Sequence, residues 1–131
     1  MAEPLGLLLL SGGHERAHYA FVLAAGAAAL GRKVVLFATN AGCHALSADL
    51  AGLADDGRDA AVRAAGVAGI AELRQAVVDL GVRRIACEAG LRMAGIDPAA
   101  LAPDVEVAGV ATFLEAVGPG PIISLSSHIE A

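Results

Sequence analysis

The sequence predicts an α/β fold in which a parallel sheet carries helices on both faces. Short, unbroken apolar runs alternate along the chain with segments of helical periodicity, the pattern of strands buried between helices. Hydrophobic residues make up 56% of the chain but aromatic residues only 3%, so small aliphatic side chains and 16 glycines must fill the interior. A length of 131 residues suits a single domain that spans residues 1–131.

A β-α-β unit opens the chain. Residues 6–10 form an unbroken apolar run closed by the polar turn at 11–13, which predicts a strand buried on both faces. Residues 15–30 carry a polar first turn followed by an apolar wall, which predicts a helix. Residues 33–38 are again apolar and predict a second strand. Because a helix joins the two strands, we expect them to run parallel.

The middle of the chain is less regular. Residues 39–46 predict a loop that leads into a short helix, and residues 51–69 predict a loop or weak helix that is mobile or used in subunit contact. The second segment contains Asp55, Asp56 and Asp59, whose carboxylates could bind a cation. Their spacing is not that of a calcium-binding loop, so we interpret them as a solvated charge cluster.

The C-terminal half returns to alternating helices and strands. Asp97 and Pro98 have the residue types of a helix N-cap and first helical position, which predicts a short helical turn. We expect the residues from Ser126 onwards to form a frayed tail. The other predicted elements are a helix at 70–80, strands at 82–86 and 105–108, a helix at 111–117 and a last strand at 122–125.

The main candidate for chemistry is Cys87, which follows the predicted strand at 82–86. Reactive groups in parallel α/β sheets collect at the C-terminal ends of the strands. A helix that starts directly after Cys87 would aim backbone amides at the sulfur and favour the thiolate. The negative charge of Glu88 would raise the pKa of the Cys87 thiol, whereas the positive charges of Arg84 and Arg92 would lower it. Buried cysteines are also common core residues, so inert packing is the alternative interpretation.

Two other predicted strand ends carry candidate site residues. The amides after the first strand could hold an anion, although the sequence there matches no nucleotide-binding motif. The histidines and cysteines among these residues are zinc ligands by type, but they lack the spacing of paired ligands, and no metal is predicted. Cys43 can act as a second thiol if its loop lies beside Cys87. The candidates are Ser11, Gly12, Gly13 and His14 after the first strand, and Asn40, Cys43 and His44 after the second.

Composition and charge argue against several classes of function. A net charge of −5 with no basic stripe argues against nucleic-acid binding. The N-terminus lacks the features of a signal peptide, and no apolar stretch reaches the roughly 20 residues that span a bilayer. We therefore expect a cytoplasmic protein without an integral membrane segment. No Gly-x-Ser-x-Gly motif supports serine hydrolysis, and no cofactor is predicted.

From Cys87 onwards the sequence resembles the DsrE/DsrF-like family of small sulfur-relay proteins, and in particular its peroxiredoxin-like, DsrE2-type branch. The resemblance is carried by Cys87, residues 93–96, Leu101 and residues 105–114. The two early strands, the helix between them and the loop at Gly42 agree with it. This resemblance implies a three-layer α/β/α sandwich with a mainly parallel sheet of about five strands, assembled into trimers or hexamers.

In sulfur-relay members of this family, the cysteine that matches Cys87 carries sulfur as a persulfide. The resemblance therefore implies a sulfur carrier or sulfurtransferase-like protein that exchanges sulfur with donor and acceptor proteins. The chain departs from the family pattern at Gly90-Leu91, where relatives often have Ser-Met, and at the loop after the second strand, which lacks an aromatic residue. Two alternatives stay open: a non-catalytic oligomeric binding module, and a thiol redox protein that uses Cys43 and Cys87.

Overall fold

The computed structural model describes residues 3–127 and builds this part of the chain from five strands, five α-helices and three short 3-10 helices. The strands are β1 (Leu5–Leu9), β2 (Val34–Ala38), β3 (Arg83–Cys87), β4 (Glu106–Ala108) and β5 (Ile122–Leu125). The α-helices are α1 (His14–Ala29), α2 (Arg58–Ala64), α3 (Ile70–Asp79), α4 (Glu88–Ala94) and α5 (Val110–Val117). The 3-10 helices are Asn40–Leu46, called the 3-10 segment below, Leu50–Gly52 and Pro98–Ala100. Within residues 3–127, none of the helices is both long enough and apolar enough to cross a membrane.

All five strands run parallel in one sheet, in the order β4-β3-β2-β1-β5. The chain moves one strand at a time from β1 to β4 and then returns across the sheet, so that β5 lies on the far side of β1. Because parallel crossovers are right-handed, the return connection through α5 places that helix on the face opposite α1 and α3. The predicted α/β sandwich with a five-stranded parallel sheet is confirmed.

Two apolar cores lie on the two faces of the sheet. The larger core packs α1 and α3 against the central strands and includes the fully buried Phe21. The smaller core lies beneath α5, where the rings of Phe37 and Phe113 stack with their centroids 4.8 Å apart. Successive side chains of a strand point to opposite faces, so the neighbours Ala86 and Cys87 belong to different cores. Cys87 belongs to the core beneath α5.

The predicted strands and long helices agree with the structure to within one residue at each end. The predicted turn at Asp97 is also present, because its Oδ1 accepts the Ala99 amide at 2.9 Å. The expectation of a frayed tail is wrong for Ser126 and Ser127. The Ser126 carbonyl accepts a hydrogen bond from Arg16 Nε at 3.1 Å, and the Ser127 amide donates to the Ser11 hydroxyl. The rest of the predicted tail, residues 128–131, lies outside the described residues.

Candidate functional site

Cys87 is the last residue of β3 and the N-cap of α4. Its Sγ accepts a hydrogen bond from the backbone amide of Gly90, with the two atoms 3.4 Å apart. The sulfur therefore satisfies one of the amides that a helix leaves unpaired at its N-terminus. Glu88 pairs with Arg92 one turn along α4, with an N–O distance of 2.9 Å. The structure thus places Cys87 at the strand end with an amide donor on its sulfur, as the sequence predicts.

The Cys87 side chain is 9% exposed. It packs in the apolar core beneath α5 together with Phe37, Ile85 and Phe113. The sulfur is thus hydrogen-bonded on one side and enclosed by hydrocarbon on the other. Only a small part of Cys87 is open to a group that reacts with it.

Cys43 lies in the 3-10 segment and is completely buried. Its thiol donates a hydrogen bond to the carbonyl of Ala38, with the sulfur and oxygen 3.4 Å apart. Burial is the main cause that raises the pKa of the Cys43 thiol to about 11. The Cys87 backbone amide lowers this pKa, and the negative charge of a Cys87 thiolate raises it. Cys43 therefore stays protonated near neutral pH.

The two cysteine side chains pack in different cores, Cys43 with α1 and α3 and Cys87 beneath α5. Both are free thiols. This arrangement weighs against a redox role that uses the two cysteines as a pair.

Asn40 begins the 3-10 segment in a left-handed backbone conformation, with φ of 52°. The segment packs tightly against α4 at Gly90, where an added Cβ would meet the Asn40 amide and Thr39 Oγ1. Only glycine at this position allows such a close approach. The tight contact fixes the start of α4, and with it the amide that donates to Cys87.

The remaining predicted site residues line a separate cavity of about 500 Å³ beside the end of β1. Arg16, Arg58 and the polar end of α1 contribute to its wall. Neither Cys43 nor Cys87 lines this cavity. The structure therefore divides the predicted residues into two groups. One group lines the cavity, and the other, Cys87, Cys43 and Asn40, does not. The predicted residues that line the cavity are Ser11, Gly12, Gly13, His14 and His44.

His14, which is buried, and Asp59, which is partly exposed, form a pair that the sequence did not predict. His14 is 2% exposed, and its Nε2 lies 2.8 Å from Asp59 Oδ1. The same oxygen accepts the backbone amide of Ile70 at 2.9 Å, and the His18 ring stacks on His14. The interpretation of Asp59 as part of a solvated charge cluster therefore leaves out its pairing with His14, although its side chain is still 27% exposed. No local pattern could have revealed the pair, because 45 residues separate its members in sequence.

Asp59→Asn is expected to lower the free energy of unfolding at pH 7 by about 1–3 kcal/mol, because a buried histidine loses its charged partner. Burial alone would raise the pKa of Asp59. Two effects outweigh burial and lower this pKa: hydrogen bonds from His14 and the Ile70 amide, and the positive charges of His14 and Arg63. The stabilisation is therefore complete above the unfolded-state pKa of about 3.9 and is lost as the pH falls through the lower native value. Urea unfolding of the wild type and of Asp59→Asn from pH 7 to pH 3 measures the difference in their free energies of unfolding. A difference that becomes larger as the pH falls contradicts the prediction.

The geometry does not assemble the four residues weighed as zinc ligands. His14 and His44 line the cavity, whereas Cys43 and Cys87 lie outside it. Across residues 3–127, no group of three or more histidine, cysteine, aspartate or glutamate side chains is arranged to hold a metal ion.

Comparison with known proteins gives a family and a fold. A sequence model of the DsrE/DsrF-like family matches residues 6–120. The chain matches no curated protein sequence. Among solved structures it is similar to MTH1491, a protein of unknown function from Methanobacterium thermoautotrophicum, with a TM-score of 0.62 and 18% sequence identity. That alignment covers 93% of this chain and 98% of MTH1491. At this identity the likeness concerns the fold.

Proposed function

The chain belongs to the DsrE/DsrF-like family, and from this premise we propose that it is a small sulfur carrier, a sulfurtransferase-like protein that holds sulfane sulfur as a persulfide on Cys87. The observation that carries the proposal is the Gly90 amide that donates to Cys87 Sγ at 3.4 Å. A donor in this position stabilises negative charge on sulfur, which both the thiolate and the persulfide anion carry. Cys43, buried and with a pKa of about 11, is not suited to this role.

Loading is a displacement at sulfur. The Cys87 thiolate attacks the outer sulfur of a donor persulfide, a new S–S bond forms, and the donor's own S–S bond breaks. The donor leaves as a thiolate with the electron pair of the broken bond, so loading needs no external oxidant. Delivery repeats the same step, with an acceptor thiolate attacking the outer sulfur on Cys87 and the Cys87 thiolate leaving.

The apolar surroundings of Cys87 would shield a persulfide from the bulk solvent. Phe37, Ile85 and Phe113 enclose the sulfur, and its low exposure limits contact with bulk thiols. A persulfide held there is exposed only to a partner that reaches the C-terminal edge of the sheet. We therefore propose that its partners are donor and acceptor proteins that reach this edge. We also propose a cytoplasmic location and, from the family, assembly into a homotrimer or homohexamer.

Mass spectrometry after incubation with a sulfane-sulfur donor tests the proposal. We expect the intact protein to gain about 32 Da, the mass of one sulfur atom, and peptide mapping to place the gain on Cys87. Later addition of an acceptor thiol should return the protein to its original mass. A protein that gains no sulfur from any persulfide donor, while Cys87 remains a free thiol, overturns the proposal.

A second candidate is a non-catalytic oligomeric binding module, in which Cys87 is only a core residue. The 9% exposure of Cys87 and its apolar neighbours favour this candidate. The cavity beside β1, with Arg16 and Arg58 in its wall, gives such a module a place for a ligand. Mass spectrometry after incubation with the sulfur donor distinguishes the two candidates, because a binding module gains no sulfur on Cys87.

A further inference from the structure

A second cavity lies away from Cys87, on the face of the sheet covered by α1 and α3. Its volume is about 400 Å³, within the range of small-molecule sites. Phe21, Leu46 and Val77 are buried core side chains that form its apolar wall. Its polar wall is formed by Arg74, Gln75, Arg84 and Asp104. Neither cysteine contributes to this cavity, so it is independent of the proposed sulfur chemistry.

Neither arginine of this cavity has a carboxylate partner within the described residues, whereas five other arginines do. Arg84 Nη2 donates to the carbonyl of Pro103 at 3.2 Å, and its Nε is buried with no hydrogen-bond partner among the described residues. Within residues 3–127, Arg74 has neither an ion pair nor a side-chain hydrogen bond, and Asp104 pairs with neither arginine. The arginines that do pair with carboxylates are Arg16, Arg58, Arg63, Arg83 and Arg92.

The cavity therefore concentrates positive charge in a protein whose net charge is −5. Burial lowers the pKa of Arg74, and the positive charge of Arg84 lowers it further. The two like charges repel each other, and Asp104, the one carboxylate in the cavity wall, forms an ion pair with neither arginine among the described residues. An anion between them removes the repulsion and satisfies guanidinium donors, which match the geometry of a carboxylate.

We propose that this cavity binds a small apolar monocarboxylate, with its carboxylate between Arg74 and Arg84 and its apolar body over Leu50 and Val78, the accessible apolar side chains of the cavity. These side chains select this class over an inorganic anion, because a bare anion leaves them in contact with water. The charge selects it over a neutral apolar molecule, because such a molecule leaves both guanidinium groups unpaired. The site accounts for the lack of partners at both arginines.

Isothermal titration calorimetry with octanoate as the probe tests the site. We expect octanoate to bind at one site per chain, with 1-octanol and inorganic phosphate binding much more weakly because each supplies only half of the required chemistry. Arg74→Gln should weaken octanoate binding by roughly tenfold or more, which is the effect of one charged hydrogen bond. Arg83→Gln is the matched control, because this neighbour of Arg84 pairs with Glu106 and does not line the cavity.

Thermal unfolding without ligand supplies a second readout. Arg74→Gln should unfold at the same temperature as the wild type or at a higher one, because it removes a repulsion, while octanoate should raise the unfolding temperatures of the wild type and Arg83→Gln more than that of Arg74→Gln. Arg84→Gln should show the same loss of binding. Octanoate that fails to bind, or that binds equally to wild type and Arg74→Gln, overturns the proposal. Phosphate bound more tightly than octanoate, or sedimentation showing that a second copy covers this face, overturns it as well.

Discussion

Replacing Cys87 with serine is expected to abolish sulfur loading and to leave the fold intact. The serine oxygen can accept the Gly90 amide that Cys87 Sγ accepts now, so α4 keeps its N-cap. Serine cannot form the S–S bond of a persulfide, so the gain of about 32 Da should disappear from the mass spectrum. Circular dichroism and the unfolding temperature show that the variant is folded, which separates loss of chemistry from loss of structure.

Cys43→Ser is the matched control for that experiment. Cys43 is fully buried, and its pKa of about 11 keeps it protonated, so we expect the variant to load sulfur on Cys87 as the wild type does. Sulfur that appears on Cys43 in the Cys87→Ser protein would contradict the assignment of Cys87 as the carrier. Loss of loading in a folded Cys43→Ser protein would instead give both cysteines a part in the chemistry.

Gly90→Ala is expected to destabilise the protein, although alanine is the better helix former. An alanine Cβ at this position would meet the Asn40 amide and Thr39 Oγ1, so α4 and the 3-10 segment would have to separate. Overpacking of this kind costs about 1–3 kcal/mol and exceeds the gain in helix propensity of about 1 kcal/mol. Because the Gly90 amide also donates to Cys87, sulfur loading should fall together with stability, as urea unfolding and mass spectrometry will show.

Gly26→Ala makes the same change where there is space. Gly26 lies inside α1, and an added Cβ has no heavy atom within 4 Å apart from its own helix backbone and chain neighbours. At this position only the higher helix propensity of alanine affects stability, and the free energy of unfolding should rise by about 0.5–1 kcal/mol. If both substitutions stabilise the protein equally, the close contact at Gly90 does not exist as described.

Most of the fold could be predicted because its signals are local. The apolar runs of β1 and β2 are unbroken, and the helix between them begins and ends within one residue of its predicted limits. Cys87 could be placed for the same reason, since a strand that ends where a helix begins puts the junction residue at the N-cap. The right-handed crossover rule then accounts for the face on which each helix lies.

The features that could not be predicted depend on contacts between distant residues. Asp59 stands in the least regular part of the sequence, and only the fold brings it to His14. The relation of Cys43 to Cys87 depends on which core each side chain enters, and spacing carries no information on that. The two arginines of the second cavity look like ordinary surface charges until the fold shows that neither has a carboxylate partner in residues 3–127.

The position of β5 has a consequence for synthesis of the chain on the ribosome. This strand pairs with β1, the first strand of the sheet, so the sheet cannot close on that side until β5 has left the exit tunnel. Until then β1 presents an unpaired edge, to which a second nascent chain can add a strand. We therefore expect a nascent chain that stalls before Ile122 to aggregate more readily than one that includes β5.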